Sequence, residues 1–285
     1  MPGLRRAPLP QSLIDHVRAY AAGEAEPAEP RNAATVVLLR DGSSGVEVYL
    51  LRRQASMAFA GGMCVFPGGG VDPRDFSEDV AWAGPSLDSW ATTLGCSPEL
   101  ARALVCAAVR ETFEESGVLL AGTSADTVVE DTTGEDWEAD RVALETRELP
   151  MTDFLLRRGL VLRTDLLGAW SGWLTPVFEP KRYRTWFFVA VLPGSQTTRD
   201  VSSESSSVTW MPALDAAAAV EDDEMLMMPP TFLTCLDIGQ HPTAADVHEA
   251  AAGRTVEIFT PEVIGVGKDF VLSTPPAYEA LLDAR

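Results

Sequence analysis

The sequence predicts an α/β domain in which strands and helices alternate along most of the 285 residues. Three apolar runs rich in β-branched and aromatic residues, 33–39, 46–52 and 185–192, indicate buried strands. Residues 41–45 (Asp-Gly-Ser-Ser-Gly) separate the first two runs and indicate a hairpin turn. Residues 97–116 have the composition of one long helix. These observations favour a sheet packed against helices.

The chain ahead of the first strand forms a separate segment in this interpretation. Residues 11–22 have helical periodicity, and a stretch rich in Pro and Glu follows as far as Pro30. We therefore expect an N-terminal helix and linker over 1–30 and a single domain over 31–285. Because no apolar stretch follows the basic residues at the N-terminus, we do not expect a signal peptide.

The remaining elements follow from local patterns. Ser97 as N-cap, Pro98 in the first turn and Gly117 as the stop define the long helix. Further helices are expected over 79–82, 87–94, 130–148, 153–158, 214–220, from 229 onward and over 243–252. Further strands are expected over 208–210, 255–259 and 270–272. Residues from about 212 to 285 therefore form a largely helical C-terminal extension.

Composition narrows the classes of function. The formal net charge of −20 repels nucleic acid and anionic lipid, so we expect neither as a partner. No window approaches 18 uninterrupted apolar residues, so we expect no membrane-spanning helix. The four cysteines lack metal-ligand spacing and are expected to be reduced core residues of a cytoplasmic protein. A small-molecule substrate is therefore expected, and a homodimer is possible.

Three carboxylates lie near the end of the long helix. Glu111, Glu114 and Glu115 stand at positions i, i+3 and i+4, so they share one face and repel one another. A hard divalent cation such as Mg²⁺, which prefers oxygen ligands, would compensate that repulsion. The alternative is a solvated acidic face at a helix end.

The sequence upstream favours the metal site. Val65-Phe66-Pro67-Gly68-Gly69-Gly70-Val71-Asp72 is a glycine-rich turn, and with the helix it resembles the nudix box, G-x5-E-x7-R-E-U-x-E-E-x-G-U with U apolar. Gly69 matches the first glycine, and Asp75 stands where the family has Glu. The second half is matched by Arg110, Glu111, Glu114, Glu115, Gly117 and Val118. Residues 76–109 replace the family's seven-residue spacer, so the box is split by an insertion, about 76–98 of it helical.

A split box of this kind is similar to the branch of the nudix hydrolase superfamily around the peroxisomal coenzyme A diphosphatase called nudix motif 19. The resemblance implies the nudix fold, a mixed β-sheet sandwiched between helices, and Mg²⁺- or Mn²⁺-dependent hydrolysis of a nucleoside diphosphate derivative. The implied metal ligands are Glu111, Glu114, Glu115 and the Gly69 carbonyl. The implied catalytic residues are Glu111, Glu115, Glu204 and Arg110, with the base in the box or at Glu204. Either Glu78 or Glu99 could take the place of Asp75.

Basic and apolar side chains elsewhere are candidates for substrate binding. The candidate phosphate-binding residues are Arg52, Arg53, Lys181, Arg182 and Arg184, although salt-bridge partners for the many acidic residues are the alternative. Met225, Met227 and Met228 could line an acyl or pantetheine pocket, or belong to the core. The three histidines lie in no constellation, so neither zinc nor histidine catalysis is expected.

The substrate is expected to be coenzyme A or an acyl-CoA, cleaved to 3′,5′-ADP and 4′-phosphopantetheine. The signature of coenzyme A nudix enzymes is matched at Arg53 and Gly62 and missed at Leu51, Gln54 and Ala58. NADH, ADP-ribose or a nucleotide sugar is the alternative substrate. A catalytically silent nudix domain that senses a ligand or serves as a scaffold is the alternative of another class. A silent site would have no reason to keep three repelling carboxylates.

Overall fold

A mixed β-sheet forms the centre of the protein in the computed structural model, which describes residues 11–57, 60–266 and 269–283. Its strands lie in the order β10-β2-β1-β9-β8-β11, with β3 beside β2 and β4 beside β1. The strands are β1 (Arg31–Gly42), β2 (Gly45–Arg53), β3 (Cys64–Val65), β4 (Gly68–Gly70), β5 (Trp82–Ala83), β6 (Ala121–Gly122), β7 (Val161–Arg163), β8 (Gly168–Leu174), β9 (Tyr183–Val191), β10 (Ser205–Pro212), β11 (Ile258–Phe259), β12 (Val263–Val266) and β13 (Asp269–Leu272).

Helices cover both faces of this sheet. They are α1 (Gln11–Ala21), α2 (Leu87–Leu94), α3 (Pro98–Ser116), α4 (Glu135–Glu145), α5 (Met151–Arg158), α6 (Ala213–Glu221), α7 (Pro229–Ile238), α8 (Ala244–Ala251) and α9 (Pro276–Asp283). Side chains of β1 alternate between two cores: Val36 and Leu38 pack with α2, α3 and α5, whereas Val37 and Leu39 pack with α6, α7 and α8. The predicted sheet between helices is confirmed.

The central strands are joined as the turn pattern predicts. Strands β1 and β2 pair antiparallel, with Gly42 opposite Gly45 across a two-residue turn. Strand β9 runs parallel to β1 on its other side, with Tyr183 opposite Arg31. The predicted strands 33–39, 46–52 and 185–192 are therefore the three central strands of the sheet.

The long helix α3 begins and ends where its capping residues predict. The Ser97 hydroxyl accepts a hydrogen bond from the Leu100 amide at 3.3 Å. At the other end Gly117 has φ of 74°, a left-handed conformation that favours glycine, and its amide donates to the Phe113 carbonyl at 2.9 Å. Almost the whole of α3 is buried, so its last two turns are held rigidly against β1 and β4.

The insertion departs from its prediction in one segment. Helix α2 forms as expected, but the predicted helix 79–82 is wrong. Trp82 and Ala83 form strand β5, which pairs in parallel with β7, while β6 lies on the other side of β7. Gly84 follows with φ of 101°, which a helix cannot continue through, and the Trp82 indole donates to the Pro85 carbonyl at 2.7 Å.

The predicted helix 130–148 is shorter in the structure. Helix α4 covers only Glu135–Glu145, because the residues before it are held as a loop. The Thr132 hydroxyl donates to the Gly117 carbonyl at 2.6 Å, which ties that loop to the end of α3. Helix α4 is consequently anchored beside the box helix.

The C-terminal part contains strands as well as the predicted helices. Strand β11 joins the edge of the main sheet, parallel to β8, and β12 and β13 form a separate hairpin. At the other end α1 matches its prediction, while the first ten residues lie outside the described part of the chain. Within the described ranges, no helix has both the length and the apolar character needed to cross a membrane.

Candidate active site

The two halves of the split box lie against each other. Strand β4 (Gly68–Gly70) pairs with Ala33–Thr35 of β1, and the C-terminal half of α3 packs on it. The Gly68 amide donates a hydrogen bond to Oε2 of Glu115 at 2.8 Å. A Cβ atom at Gly69 would lie 2.5 Å from Oε1 of Glu111, so a side chain there would displace the Glu111 carboxylate. The 3₁₀ turn Pro73–Phe76 then carries Asp75 back toward the same helix.

Arg110 is the centre of the group of charges. Its Nε and Nη2 donate to the two carboxylate oxygens of Asp75 at 3.2 and 3.0 Å. Its Nη1 donates to Glu111 at 2.7 Å and to Glu114 at 3.2 Å, and Nη2 also reaches the Gly70 carbonyl at 3.0 Å. The orienting role expected of Arg110 therefore has a geometric basis that extends to three carboxylates.

Asp75 provides the anchor of this group. Its side chain accepts a hydrogen bond from the Asp72 amide at 2.8 Å, in a reciprocal capping box, and the residue is 1% exposed. Glu78 and Glu99, the suggested replacements, are both exposed, and Glu99 lies in the first turn of α3. Asp75 itself, and neither of the two suggested replacements, therefore pairs with Arg110.

The site holds more negative charge than its guanidinium groups neutralise. Burial raises the pKa of Glu114 to about 7, with Glu111 adding to the shift. Burial also raises the pKa of Glu111, and it raises the pKa of Glu115 well above its usual value, again with Glu111 contributing. Ionising all three carboxylates together is therefore costly in the protein alone.

The donor set of this cluster consists of oxygen atoms, which suits a hard divalent cation. Within the described ranges no three His, Cys, Asp or Glu groups converge as a formed ion site. The reason is local: Arg110 holds Glu111 and Glu114 on one side, and the Gly68 amide holds Glu115. Since Arg110 neutralises only part of the charge of these adjacent carboxylates, their chemistry fits a cation.

Glu204 lies beside the box, at a shallow depression of the surface that is called the cleft below. The cleft is lined by Leu51, Arg53, Val65, Glu115, Ser202, Glu204 and Ser205. Glu204 is half exposed and accepts a hydrogen bond from Nη2 of Arg53 at 2.9 Å. The Nε atom of Arg53 is buried and has no partner in the described part of the chain. Glu204 and Arg53, 151 residues apart in sequence, thus meet beside Glu115.

The other basic candidates do not join this cleft as one group. Arg52 precedes Arg53 on β2 and therefore points to the opposite face of the sheet. It lines a groove of about 350 Å³ there, together with Leu50, Cys64 and Met225. Arg52 and Arg53 therefore face different sites on the two sides of the sheet, and both stay predicted substrate ligands.

The basic residues at the start of β9 also differ from one another in burial and in their contacts. Arg182 is 9% exposed and donates to the carbonyls of Thr175 and Ala28, both at 3.0 Å, so it ties the N-terminal linker to the domain. These bonds give Arg182 a structural role, and its part in substrate binding stays a prediction. Lys181 is exposed and Arg184 half buried, and neither side chain has an ion pair within the described ranges. These two stay predicted substrate ligands.

The methionine group belongs mainly to the core. Met225 and Met227 are buried against α6 and α7, and Met225 forms one wall of the groove that contains Arg52. Ala58, where the coenzyme A signature would have a second arginine, lies outside the described residues. Sequence reasoning missed the Gly68 amide as a partner of Glu115. It could have found the anchoring of Asp75, because Asp72-Pro73-Arg74-Asp75 has the spacing of a capping box.

The geometry agrees with comparisons to known proteins. The family model described as the NUDT19 Nudix domain matches residues 94–237. Acyl-coenzyme A diphosphatase NUDT19 from Xenopus laevis is 25% identical over 254 residues, 76% of this chain and 66% of that protein. The human protein of the same name is 27% identical over 255 residues, 75% of this chain and 66% of its own.

A solved structure agrees with the fold. The crystal structure of a NUDIX hydrolase from Alicyclobacillus acidocaldarius has a TM-score of 0.67 and 26% identity, covering 78% of this chain and 96% of that one. The fold and the box are those of nudix pyrophosphohydrolases. The chain belongs to the NUDT19 Nudix domain family. It spans about two thirds of the length of the curated relatives it matches.

Proposed function

We propose that this protein is a metal-dependent nudix hydrolase that cleaves the diphosphate linkage of coenzyme A or an acyl-CoA, giving 3′,5′-ADP and 4′-phosphopantetheine. The observation that carries the proposal is the group of buried carboxylates around Arg110, placed against the Gly68–Gly70 strand. A protein that only bound a neutral ligand would gain no affinity from keeping these charges together.

The carboxylates of Glu111, Glu114 and Glu115, with the Gly69 carbonyl, are the groups that would hold Mg²⁺ or Mn²⁺. A bound divalent cation neutralises the diphosphate oxygens and acidifies a bound water. Arg110 and Asp75 keep the carboxylates in place, since each is bonded to the other through two hydrogen bonds. The positive charge of the cation would offset the negative field of the carboxylates, so that an anionic substrate could bind there.

Glu204 and Arg53, which line the cleft beside Glu115, are the candidate base and phosphate ligand. We infer that Glu204 accepts a proton from the attacking water, because it is half exposed and lines the same cleft as Glu115. The unpartnered Nε of Arg53 can donate to a phosphate oxygen beside it. Glu111 is the alternative base, and comparing Glu204→Gln with Glu111→Gln decides between them, since removing a general base costs roughly 10²–10⁴-fold in turnover.

The substrate class rests on the relatives. Both the frog and the human proteins bear the name acyl-coenzyme A diphosphatase, which supports coenzyme A or an acyl-CoA ahead of NADH, ADP-ribose or a nucleotide sugar. The alternative of another class, a silent nudix domain, is disfavoured by the complete set of box carboxylates. Cytoplasmic location and a homodimer stay predictions, the latter to be measured by light scattering on the purified protein.

A substrate panel tests the proposal. Purified protein is incubated with coenzyme A, an acyl-CoA, NADH, ADP-ribose and a nucleotide sugar, with Mg²⁺, with Mn²⁺ and with EDTA, and the products are identified by phosphorus NMR. We expect 3′,5′-ADP from the two coenzyme A substrates, no turnover in EDTA, and recovery when metal returns. The Glu115→Gln variant, prepared in parallel, controls for a contaminating hydrolase. Turnover in the presence of EDTA would contradict the metal dependence. Turnover of NADH and of no other compound would contradict the assignment of coenzyme A or an acyl-CoA as substrate.

A further inference from the structure

A second group of charged side chains, centred on the buried Arg141, lies behind the carboxylate site on helix α4. Arg141 is 3% exposed, and its Nη1 donates to the backbone carbonyl of Glu114 at 2.6 Å. The same guanidinium donates to Glu138 at 2.7 Å and to Oε2 of Glu145 at 3.0 Å. Arg141 therefore connects α4 directly to the turn of α3 that carries the box carboxylates.

Glu145 extends this connection to the loop of Glu204. Its other oxygen, Oε1, accepts a hydrogen bond from the Ser203 amide at 2.8 Å. The Ser203 carbonyl in turn accepts from the Gln54 side chain at 2.7 Å, so both backbone groups of Ser203 are held by side chains from other elements. Ser203 directly precedes Glu204, and a shift of its peptide plane would move the Glu204 carboxylate.

We propose that Glu145, held by Arg141, is a positioning residue that sets Glu204 over the carboxylate site. The connection runs from the Glu114 carbonyl through Arg141 and Glu145 to the Ser203 amide, so the box helix and the Glu204 loop are fixed to the same two side chains. The inference rests on the proposed function, because it assigns Glu145 a part in the hydrolysis that Glu204 assists.

The charge of Glu145 suits this role. Although burial opposes ionisation, hydrogen bonds from Ser203 and Arg141 hold the pKa of Glu145 below its usual value. Charge-assisted hydrogen bonds are shorter and stronger than neutral ones, so an ionised Glu145 restrains the loop more firmly than a hydroxyl or amide would. Glu204 has only one side-chain partner, the Arg53 guanidinium, within the described ranges, so its position depends on the backbone.

A double-mutant cycle tests the coupling. Glu145→Ala should lower kcat roughly tenfold with KM little changed, because a displacement of about 1 Å in a catalytic group can cost up to 10²-fold. In a Glu204→Gln background the same change should have almost no further effect, since the group it positions is already gone. Additive losses in the two backgrounds would overturn the inference. Glu135→Ala, an exposed residue of the same helix, is the matched control and should leave kcat unchanged.

Hydrogen exchange tests the connection without any activity. Peptides that contain residues 200–206 should exchange their amides at least several-fold faster in Glu145→Ala than in wild type, and at the wild-type rate in Glu135→Ala. If no diphosphate is hydrolysed, the proposed function fails while this measurement still decides whether Glu145 restrains the loop. Should Glu145→Ala not fold, Glu145→Asp, whose shorter side chain reaches less far, is expected to give smaller changes of the same sign. Unchanged exchange in the folded variants would contradict the connection.

Discussion

Two buried arginines stand on opposite sides of Glu114. Arg110 contacts the side chain of Glu114 and Arg141 contacts its backbone carbonyl. Each guanidinium also bonds carboxylates of its own helix, Glu111 for Arg110, and Glu138 and Glu145 for Arg141. The local chemistry is the same in both groups.

The pKa values of the carboxylates around the two arginines are nevertheless shifted in opposite directions. Around Arg110 burial raises the pKa of Glu111 and Glu114, and beside them that of Glu115. Around Arg141 hydrogen bonds lower the pKa of Glu138 and Glu145, with Arg199 as a second guanidinium on Glu138. The difference lies in the ratio of charges. The group around Arg141 is balanced, because it pairs two carboxylates with two guanidinium groups, whereas the group around Arg110 is unbalanced and keeps an excess of negative charge, which we propose a cation neutralises.

The largest expected effect is that of removing Arg110. Arg110→Met should lower the free energy of unfolding by about 3–5 kcal/mol, because it leaves buried carboxylates without a partner. Arg141→Met should cost less, roughly 1.5–3 kcal/mol, because Glu138 and Glu145 are partly exposed and can be hydrated. Denaturant unfolding at neutral pH measures both.

Arg102→Met is the matched control for these two variants. Arg102 lies on the same helix as Arg110, is half exposed and has no ion pair within the described ranges, so its loss should stay within about 0.5 kcal/mol. Equal costs for Arg110→Met and Arg141→Met would contradict the distinction between an unbalanced and a balanced group.

Glu115→Gln should separate activity from stability. We expect turnover to fall by roughly 10²-fold or more, since the amide lacks the charge that a hard cation prefers. The free energy of unfolding should stay the same or rise by a few tenths of a kcal/mol, because the amide carries no charge that this buried position disfavours and its oxygen still accepts from Gly68. Steady-state kinetics and denaturant unfolding are measured on the same preparation. Glu99→Gln, in the exposed first turn of α3, is the control, and a fully active Glu115→Gln would remove Glu115 from the site.

The local sequence predicts the elements of the unbalanced group well. The caps of α3 and the glycines of β4 act over a few residues, so Ser97, Gly117 and Gly69 could be placed from sequence. The split box predicted that β4 and α3 meet, and the structure confirms it.

In the balanced group, the ion pairs of Arg141 with Glu138 and Glu145 have helical spacing and could be predicted, but its contacts with other segments could not. Nothing near Glu145 indicates that it accepts from Ser203, 58 residues later. The helix at 79–82 was predicted wrongly for a similar reason, since Trp82 and Ala83 pair with a strand that lies far along the chain. The separation of Arg52 and Arg53 was predictable from strand alternation, but only once both were placed on β2.

Asp75→Glu, which restores the family's residue, should destabilise the protein. Asp75 is 1% exposed and already makes two bonds to Arg110 and one to the Asp72 amide, so a longer side chain overfills its space. Overpacking of this kind typically costs about 1–3 kcal/mol. Thermal unfolding measures the cost, with Glu78→Asp, an exposed position just past the same turn, as the control. A more stable Asp75→Glu variant would mean that Asp75 does not anchor Arg110.

The smallest expected effects test, in metal-free protein, the raised pKa of Glu114 and the lowered pKa of Glu138. The pKa of Glu114 is raised to about 7 in the folded protein from an ordinary 4.5, so the folded state binds more protons between these values and ionisation destabilises it as pH rises. Glu114→Gln should therefore gain stability relative to wild type from pH 4 to pH 8. That gain should be only about 1 kcal/mol, because the charge-assisted bond from Arg110 is lost with the charge.

The pKa of Glu138 is lowered in the folded protein, so Glu138 stabilises the protein above its pKa in the unfolded chain. This stabilisation is lost as the pH falls through the pKa of Glu138 in the folded protein. Glu138→Gln should therefore cost at most about 1 kcal/mol at pH 7 and nothing at low pH, since this carboxylate is about a third exposed. Unfolding curves from pH 3 to pH 8 compare the two variants, and pH dependences of the same sign would show that both groups are balanced alike.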